Sequence, residues 1–514
     1  MKKNSVKKNY IFNMVYQVFC LIVPLVTTPY ISKIFLAEGI GKYSYTYSLA
    51  NYFVLVAALG FATYGQREIA NHQNNKEKQS VSFWEIIIVR LFSTMICLIV
   101  FIIMCLLNVF DSYTVLMWWW ILLIIAQVFD ITFLFQGNED FGKIVIRNML
   151  IRIVSIVFIF CFIKKQNDVW MYVCCISLSN LLGNLSLWLN IKKNICLIPL
   201  NKLHPCRHIV PTLKLFIPTI AVSIYTVLDK TLLGLLINDV YTINEEQIVD
   251  GTKKMVEVTK KIADLENGYY EQAEKIVKLP LGVITSLSNV MISRNSNEIS
   301  NGNITQFKKN VYTAGRFALF LGIPLTFGLI AIAPILIPWF LGPGFEKSIL
   351  LMRLFSFLVL IIGICNVLGV QYLIPLKKDV KYTIGILAGA GVNLVLNLIL
   401  IPLFWSIGAV IASIIAEFIV CFSMYMFARK EISISKIFTS SIKYWFSGLI
   451  MFIFIYITQL YLEPSIKSTI IIIFEGIILY FSCLFLFRDD FFMNLLNSFM
   501  KKILNLRNTI LKKK

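Results

Sequence analysis

Apolar residues along this chain come in long unbroken runs parted by short polar stretches, not in the alternation of half-buried elements. A helix needs about 20 such residues to cross hydrocarbon. Fourteen windows qualify: 10–33, 43–66, 84–108, 113–136, 144–163, 169–190, 213–237, 269–293, 314–337, 349–373, 381–402, 405–427, 440–461 and 466–487. The eighth starts polar and is the weakest, but its apolar run 279–292 needs a lipid or protein environment. Backbone groups in lipid must be satisfied internally, so each window reads as a helix. The first run follows Lys2, Lys3, Lys7 and Lys8, contains Pro24 and Pro29, and shows no small-residue cleavage site. It reads as a retained span rather than a signal peptide.

Composition agrees. Of 514 residues, 58 % are hydrophobic and 15 % charged, and mean hydropathy is +0.76. Soluble domains carry about a quarter charged residues, so a soluble multidomain enzyme and a disordered chain are both excluded. The formal net charge of +20 has a membrane explanation. With fourteen spans, the termini and the loops on their side hold 32 Lys and Arg, and the opposite loops hold 12. Six of those 12 lie in the long loop 238–278, which also carries nine acids. The excess places both termini in the cytoplasm. No basic domain exists that could bind nucleic acid.

No loop is long enough for a soluble catalytic domain. Loop 238–278 reads as one amphipathic helix or a hairpin. Gly41-Lys42 lacks the earlier glycine of a P-loop, since Leu36 stands there, so ATP hydrolysis by that motif is excluded. The eleven cysteines mostly lie in apolar runs without a C-x-x-C pair and read as buried filler. His204, Cys206 and His208 are close in sequence, but Pro205 interrupts a common helical face and structural zinc wants four ligands, so no metal site is expected.

An internal repeat is legible. Gly41 and Gly268 head similar stretches at an offset of 227 residues, which also carries Tyr43 onto Tyr270 and Arg67 onto Arg294. Pro24 and Pro218 sit in the corresponding first helices, and the different offset there reflects the long loop after the seventh span. Two six-helix bundles of the same orientation follow, related by an axis along the membrane normal. The expected division is 1–200, 201–435 with the extended outer loop 238–266, and 436–514 as two added helices with a basic cytoplasmic tail.

Eight stretches then carry a family resemblance. They are 24–33 (PLVTTPYISK), 37–47 (AEGIGKYSYTY), 64–70 (YGQREIA), 135–141 (FQGNEDF), 223–230 (SIYTVLDK), 268–277 (GYYEQAEKIV), 371–378 (QYLIPLKK) and 393–402 (NLVLNLILIP). In this order, over about 9–430, the chain resembles the polysaccharide transporter family. These are Wzx-type flippases of O-antigen and capsule repeat units, within the multidrug/oligosaccharidyl-lipid/polysaccharide exporter superfamily. Departures are Ser293-Arg294 where relatives often have Pro-Arg, Trp405 where they often have Gly, and the length of loop 238–266. The resemblance implies an all-α polytopic, MATE-like fold of about 14 transmembrane helices: two six-helix bundles with a pseudo-two-fold axis, plus two C-terminal helices. It implies translocation of undecaprenyl-pyrophosphate-linked oligosaccharides between leaflets of the cytoplasmic membrane. It implies no covalent chemistry, no catalytic residue and no cofactor. The expected partners are that glycan, membrane lipid and a polysaccharide polymerase.

A pyrophosphate cargo asks for cations in a cavity. A charge near the bilayer centre costs about 2.5–3.5 kcal/mol on insertion scales, so each needs a reason. The candidates for a cationic cavity are Arg67, Arg90, Arg152, Lys230, Arg294 and Arg353; arginine's planar fork suits phosphate. The acids read as lying within spans are Asp130, Asp229, Glu417 and Glu475. The first three are candidates for a coupling ion, H+ or Na+. Adjacent Asp229 and Lys230 must face different ways on a helix. Two other readings compete: an ion-coupled multidrug antiporter, which would want an acidic cavity and twelve spans, and a membrane polysaccharide polymerase, which would want a catalytic outer loop.

Overall fold

The computed structural model describes the backbone of residues 3–511 other than 74, 139, 190, 192–194 and 250–251. Helices dominate. In order they are α1 (Lys3–Ala58), α2 (Phe61–Asn71), α3 (Lys76–Leu106), α4 (Thr114–Ile125), α5 (Thr132–Gly137), α6 (Phe141–Phe162), α7 (Val169–Trp188) and α8 (Ile209–Leu236). A hairpin of β1 (Val240–Val249) and β2 (Thr252–Lys261) follows. Then come α9 (Ile262–Ser300), α10 (Ile304–Leu341), α11 (Glu346–Phe355), α12 (Phe357–Asn366), α13 (Asp379–Ala428), α14 (Ile434–Thr439), α15 (Ile442–Thr458), α16 (Ile466–Leu486) and α17 (Asp490–Leu511).

Among the described residues, nine helices are long and apolar enough to cross a membrane. Eleven of the fourteen windows fall on these nine, because two of the nine hold two windows each; windows 213–237 and 269–293 fall on α8 and α9, and window 113–136 is split between α4 and α5 by the non-helical residues 126–131. The helices with two windows break at single residues in left-handed conformation, Leu36 (φ 54°) in α1 and Trp405 (φ 53°) in α13. A side chain there strains the backbone.

Loop 238–278 corrects one alternative. Residues 240–261 form an antiparallel hairpin, with Val240 opposite Lys261 and Val249 opposite Thr252; only from Ile262 on is the segment helical.

Contacts divide the chain into two compact units. The first comprises 1–272, 341–345 and 390–412; the second comprises 273–340, 346–389 and 413–514. In the first, Phe61, Phe83, Phe133 and Phe135 form a buried aromatic core, and Trp120 packs against Tyr43 and Tyr47 at 5.8 and 5.4 Å between ring centres. In the second, Phe320 contacts Tyr444, Tyr480 and Phe491. Outward faces are apolar: α16 exposes Ile470, Ile473, Phe474, Ile477 and Ile478 while burying Ser468, Thr469 and Gly476. The buried side also holds Ile472, Tyr480 and Leu484; large apolar residues outward are the pattern of a helix that meets lipid.

Candidate functional site

The densest charge cluster of the first unit gathers where α1 crosses α9. The crossing is so close that each backbone lies against a glycine of the other. A Cβ at Gly41 would come within 1.7 Å of the Asp264 carbonyl oxygen, and one at Gly268 within 1.9 Å of the Ala37 carbonyl oxygen. Positions 37 and 264, like 41 and 268, are 227 apart, so the two contacts are images of one another. Ser44 and Glu271 are also 227 apart, and they touch directly: Ser44 Oγ donates to Glu271 Oε2 at 3.1 Å. A residue that touches its own repeat mate lies on the symmetry axis. The offset read from a few residues of the sequence is therefore a physical pseudo-two-fold contact.

Ionic contacts surround the crossing. Lys230 pairs with Glu271. Asp229 accepts from Asn397 Nδ2 at 2.6 Å and from the Tyr270 hydroxyl. The adjacent Asp229 and Lys230 thus engage different partners, as helical geometry requires. Asn267 donates to the Lys230 carbonyl at 3.0 Å, and Ser406 donates to Glu266. Glu38 receives Lys42 at 2.6 Å and Lys260, the penultimate residue of β2, at 2.8 Å. Asp264, 2 % exposed, accepts from the Tyr113 hydroxyl at 2.8 Å. Burial pushes the Asp264 carboxyl up to about 6.

Other candidates lie elsewhere. Arg90 is 1 % exposed. Its Nη1 donates to the Asp130 carbonyl at 2.5 Å, and its Nη2 to Asp130 Oδ2 at 3.3 Å and Gln127 Oε1 at 3.2 Å. The structure therefore brings one cation candidate and one coupling candidate together as an ion pair. Arg67 on α2 and Arg294 on α9 are exposed, and Arg152 on α6 is half-buried. Arg353 on α11 donates through Nε to the Ile330 carbonyl at 3.2 Å. Its terminal nitrogens bond nothing among the described residues. Glu417 on α13 has Cys365, Cys421 and Tyr382 as electrostatic neighbours.

The set of four acids read as lying within spans needs correction. Glu271 and Glu274 also fall within the eighth window and Glu85 within the third, and Glu271 proves central. Glu85, 0 % exposed, accepts from His208 Nε2 at 2.8 Å, from Arg207 at 2.5 Å and from the His204 backbone N–H at 2.7 Å. The Tyr64 hydroxyl meets His208 Nδ1 at 2.6 Å. The segment ahead of α8 is thereby fastened to α2 and α3. Its His-x-Cys-x-His spacing drew attention to metal, while the buried carboxylate more than a hundred residues upstream was the informative partner.

A helical multi-pass fold with paired charges inside its apolar helices defines a polytopic membrane protein. The chain belongs to the polysaccharide biosynthesis protein family: residues 6–294 match that family's pattern, and 246–350 match a second pattern of the same description. It is 23 % identical, over 84 % of its length and 98 % of the relative's, to a candidate O-antigen transporter of Escherichia coli (strain K12). Among solved structures it resembles the lipid II flippase MurJ in an inward closed conformation, with a TM-score of 0.69 and 18 % identity over 93 % of this chain and 99 % of that one. It also resembles an inward-facing multidrug resistance MATE family transporter of the MOP superfamily, with a TM-score of 0.57 and 15 % identity over 82 % and 99 %. These likenesses define the fold.

Proposed function

We propose that this chain is a flippase that carries undecaprenyl-pyrophosphate-linked oligosaccharide repeat units from the inner to the outer leaflet of the cytoplasmic membrane, for a surface polysaccharide. The observation that supports this most directly is membership of a polysaccharide biosynthesis family by a chain built as two repeats meeting on an axis. The E. coli relative's name and the flippase fold agree with it. Both termini are cytoplasmic, as the loop charges require. Bundles 1–200 and 201–435 alternate access, and 436–514 is an addition. No covalent step occurs on the protein, and a polymerase uses the delivered product.

In this reading the α1–α9 crossing, with Lys230 and Glu271, closes the outer side. The candidates for meeting pyrophosphate are Arg67 and Arg152 in the first unit and Arg294 and Arg353 in the second, each with a guanidinium fork that suits phosphate. Arg90 holds Asp130 and shapes the first unit. Asp229 and Glu417 are the carboxylates through which H+ or Na+ would couple.

The test is the sidedness of lipid-linked glycan in cells depleted of the chain, probed with an impermeant reagent on right-side-out vesicles. Intact repeat units should accumulate, shielded on the cytoplasmic face. Repeat units that reach the outside normally but stay unpolymerised would replace the flippase with an enzyme acting after crossing.

A further inference from the structure

A second cationic feature lies in the second unit and uses none of the residues just assigned to translocation. A cavity of about 530 Å³ opens between the first turns of α10, the segment around α14 and the start of α17. Lys308, Lys309, Tyr312 and Arg316 recur on α10 at three- and four-residue spacing, which sets them on one helix face, and all four line the cavity with Lys436.

Two of the nearby acids are already engaged, and Asp490 beside Phe491 does not balance the cations. Asp489 holds Arg316 at 2.7 Å, and Glu431 holds Lys378 at 3.0 Å. Lys308, Lys309 and Lys436 form no salt bridge among the described residues, Lys308 feeling the charge of Glu431 at longer range, and the cations still outnumber the acids around the cavity. Tyr312 adds a donor: its hydroxyl accepts the Ser433 backbone N–H at 3.0 Å, leaving its proton for a guest.

The surroundings point to a lipid surface. Phe491 lines the cavity and packs on Phe320 at 5.5 Å, and Phe492 stacks on Phe481 at 5.4 Å. From that anchor α17 runs on as a two-sided helix. In its sequence Phe492, Leu495, Leu496, Phe499, Ile503 and Leu506 mark one side, and Asn494, Asn497, Ser498, Lys501 and Asn505 the other. Leu495 and Met500 are 44 % and 51 % exposed. Such a helix lies in the plane of a bilayer interface. The loop charges place this end on the cytoplasmic side, where basic pockets between helices take anionic headgroups.

We propose that this cavity is a binding site for a phosphate-bearing anion, with the headgroup of an anionic phospholipid of the cytoplasmic leaflet as its source.

The experiment is native mass spectrometry of the full chain in neutral detergent. Phosphatidylglycerol, phosphatidylcholine or inorganic phosphate is added to the wild type and to the triple variant K308Q/K309Q/K436Q. The wild type should retain phosphatidylglycerol over phosphatidylcholine by tenfold or more. Each lysine removed should cost about fivefold, at an unchanged thermal midpoint. K309Q and K436Q alone alter exposed residues and keep the test valid should the triple variant not fold. Displacement of the lipid by millimolar inorganic phosphate, in the wild type only, would keep the anion site and assign it to a soluble source. Equal retention of both lipids, or an unchanged preference in the variants, would overturn the proposal.

Discussion

Ser44 donates a hydrogen bond to Glu271, the residue that occupies its own place in the second repeat. The pair sits between two reciprocal glycine contacts, Gly41 on Asp264 and Gly268 on Ala37. Close approach of two helix backbones at small residues is the usual route to tight packing in lipid. Here it is also the point where the repeats meet, so its geometry bears on both stability and transport.

Gly41→Ala and Gly268→Ala should therefore behave alike. Each new Cβ would collide with a backbone oxygen, which cannot rotate away. Overpacking of this kind costs about 1–3 kcal/mol. We expect both variants to have lower thermal midpoints in detergent and to lose glycan export to a similar degree. A neutral G268A beside a damaged G41A would break the equivalence.

Lys230 and Glu271 form a second test. Removing one partner of a buried pair leaves a charge uncompensated, at about 3–5 kcal/mol, whereas removing both is far milder. K230M and E271Q should each reduce thermal stability, and the double variant should recover most of the loss. Additive losses would show that the two side chains do not depend on each other.

Asp264 precedes the membrane window of α9, and its carboxyl is pushed up to about 6 from an ordinary 3.8 by burial. The fold therefore favours the protonated form. The stability this contributes is fully present below pH 3.8, declines as pH rises through 6, and is absent above it. The change is on the order of 3 kcal/mol. Thermal midpoints measured from pH 4.5 to 7.5 should fall in the wild type, and Asp264→Asn should flatten this part of the profile. A wild-type profile that rises across that range would contradict the assignment.

Arg90 and Arg353 should separate structure from transport. Arg90→Ala strands Asp130 and should lower stability by about 3–5 kcal/mol, read as reduced protein level and thermal midpoint. Arg353→Ala should lower export at a normal protein level, and Arg353→Lys should partly restore it. Unchanged export in R353A at normal level would remove Arg353 from the substrate site.

Much of this protein was readable along the chain. Long apolar runs demand helices in lipid, so thirteen of the fourteen windows fall mainly on helix, and only 113–136 is broken, between α4 and α5. The offset of 227 was visible from Gly41, Tyr43 and Arg67. What stayed hidden were partnerships across sequence distance. Glu85 with His208, and Lys230 with Glu271, pair because tertiary packing brings separate helices together, and no local periodicity encodes that. Loop 238–278 left a helix and a hairpin both open, because mixed charge obscures the strand alternation.

The sequence by itself determined the class, most of the spans and the offset of the repeat. Each follows from the cost of putting polar backbone or charge into hydrocarbon, a cost paid residue by residue along the chain. Only the tertiary structure decided which charges are paired. It set Arg90 against Asp130, parted Asp229 from Lys230 and placed Ser44 on Glu271. Pairing depends on distances of a few ångströms between helices, which a one-dimensional pattern does not contain.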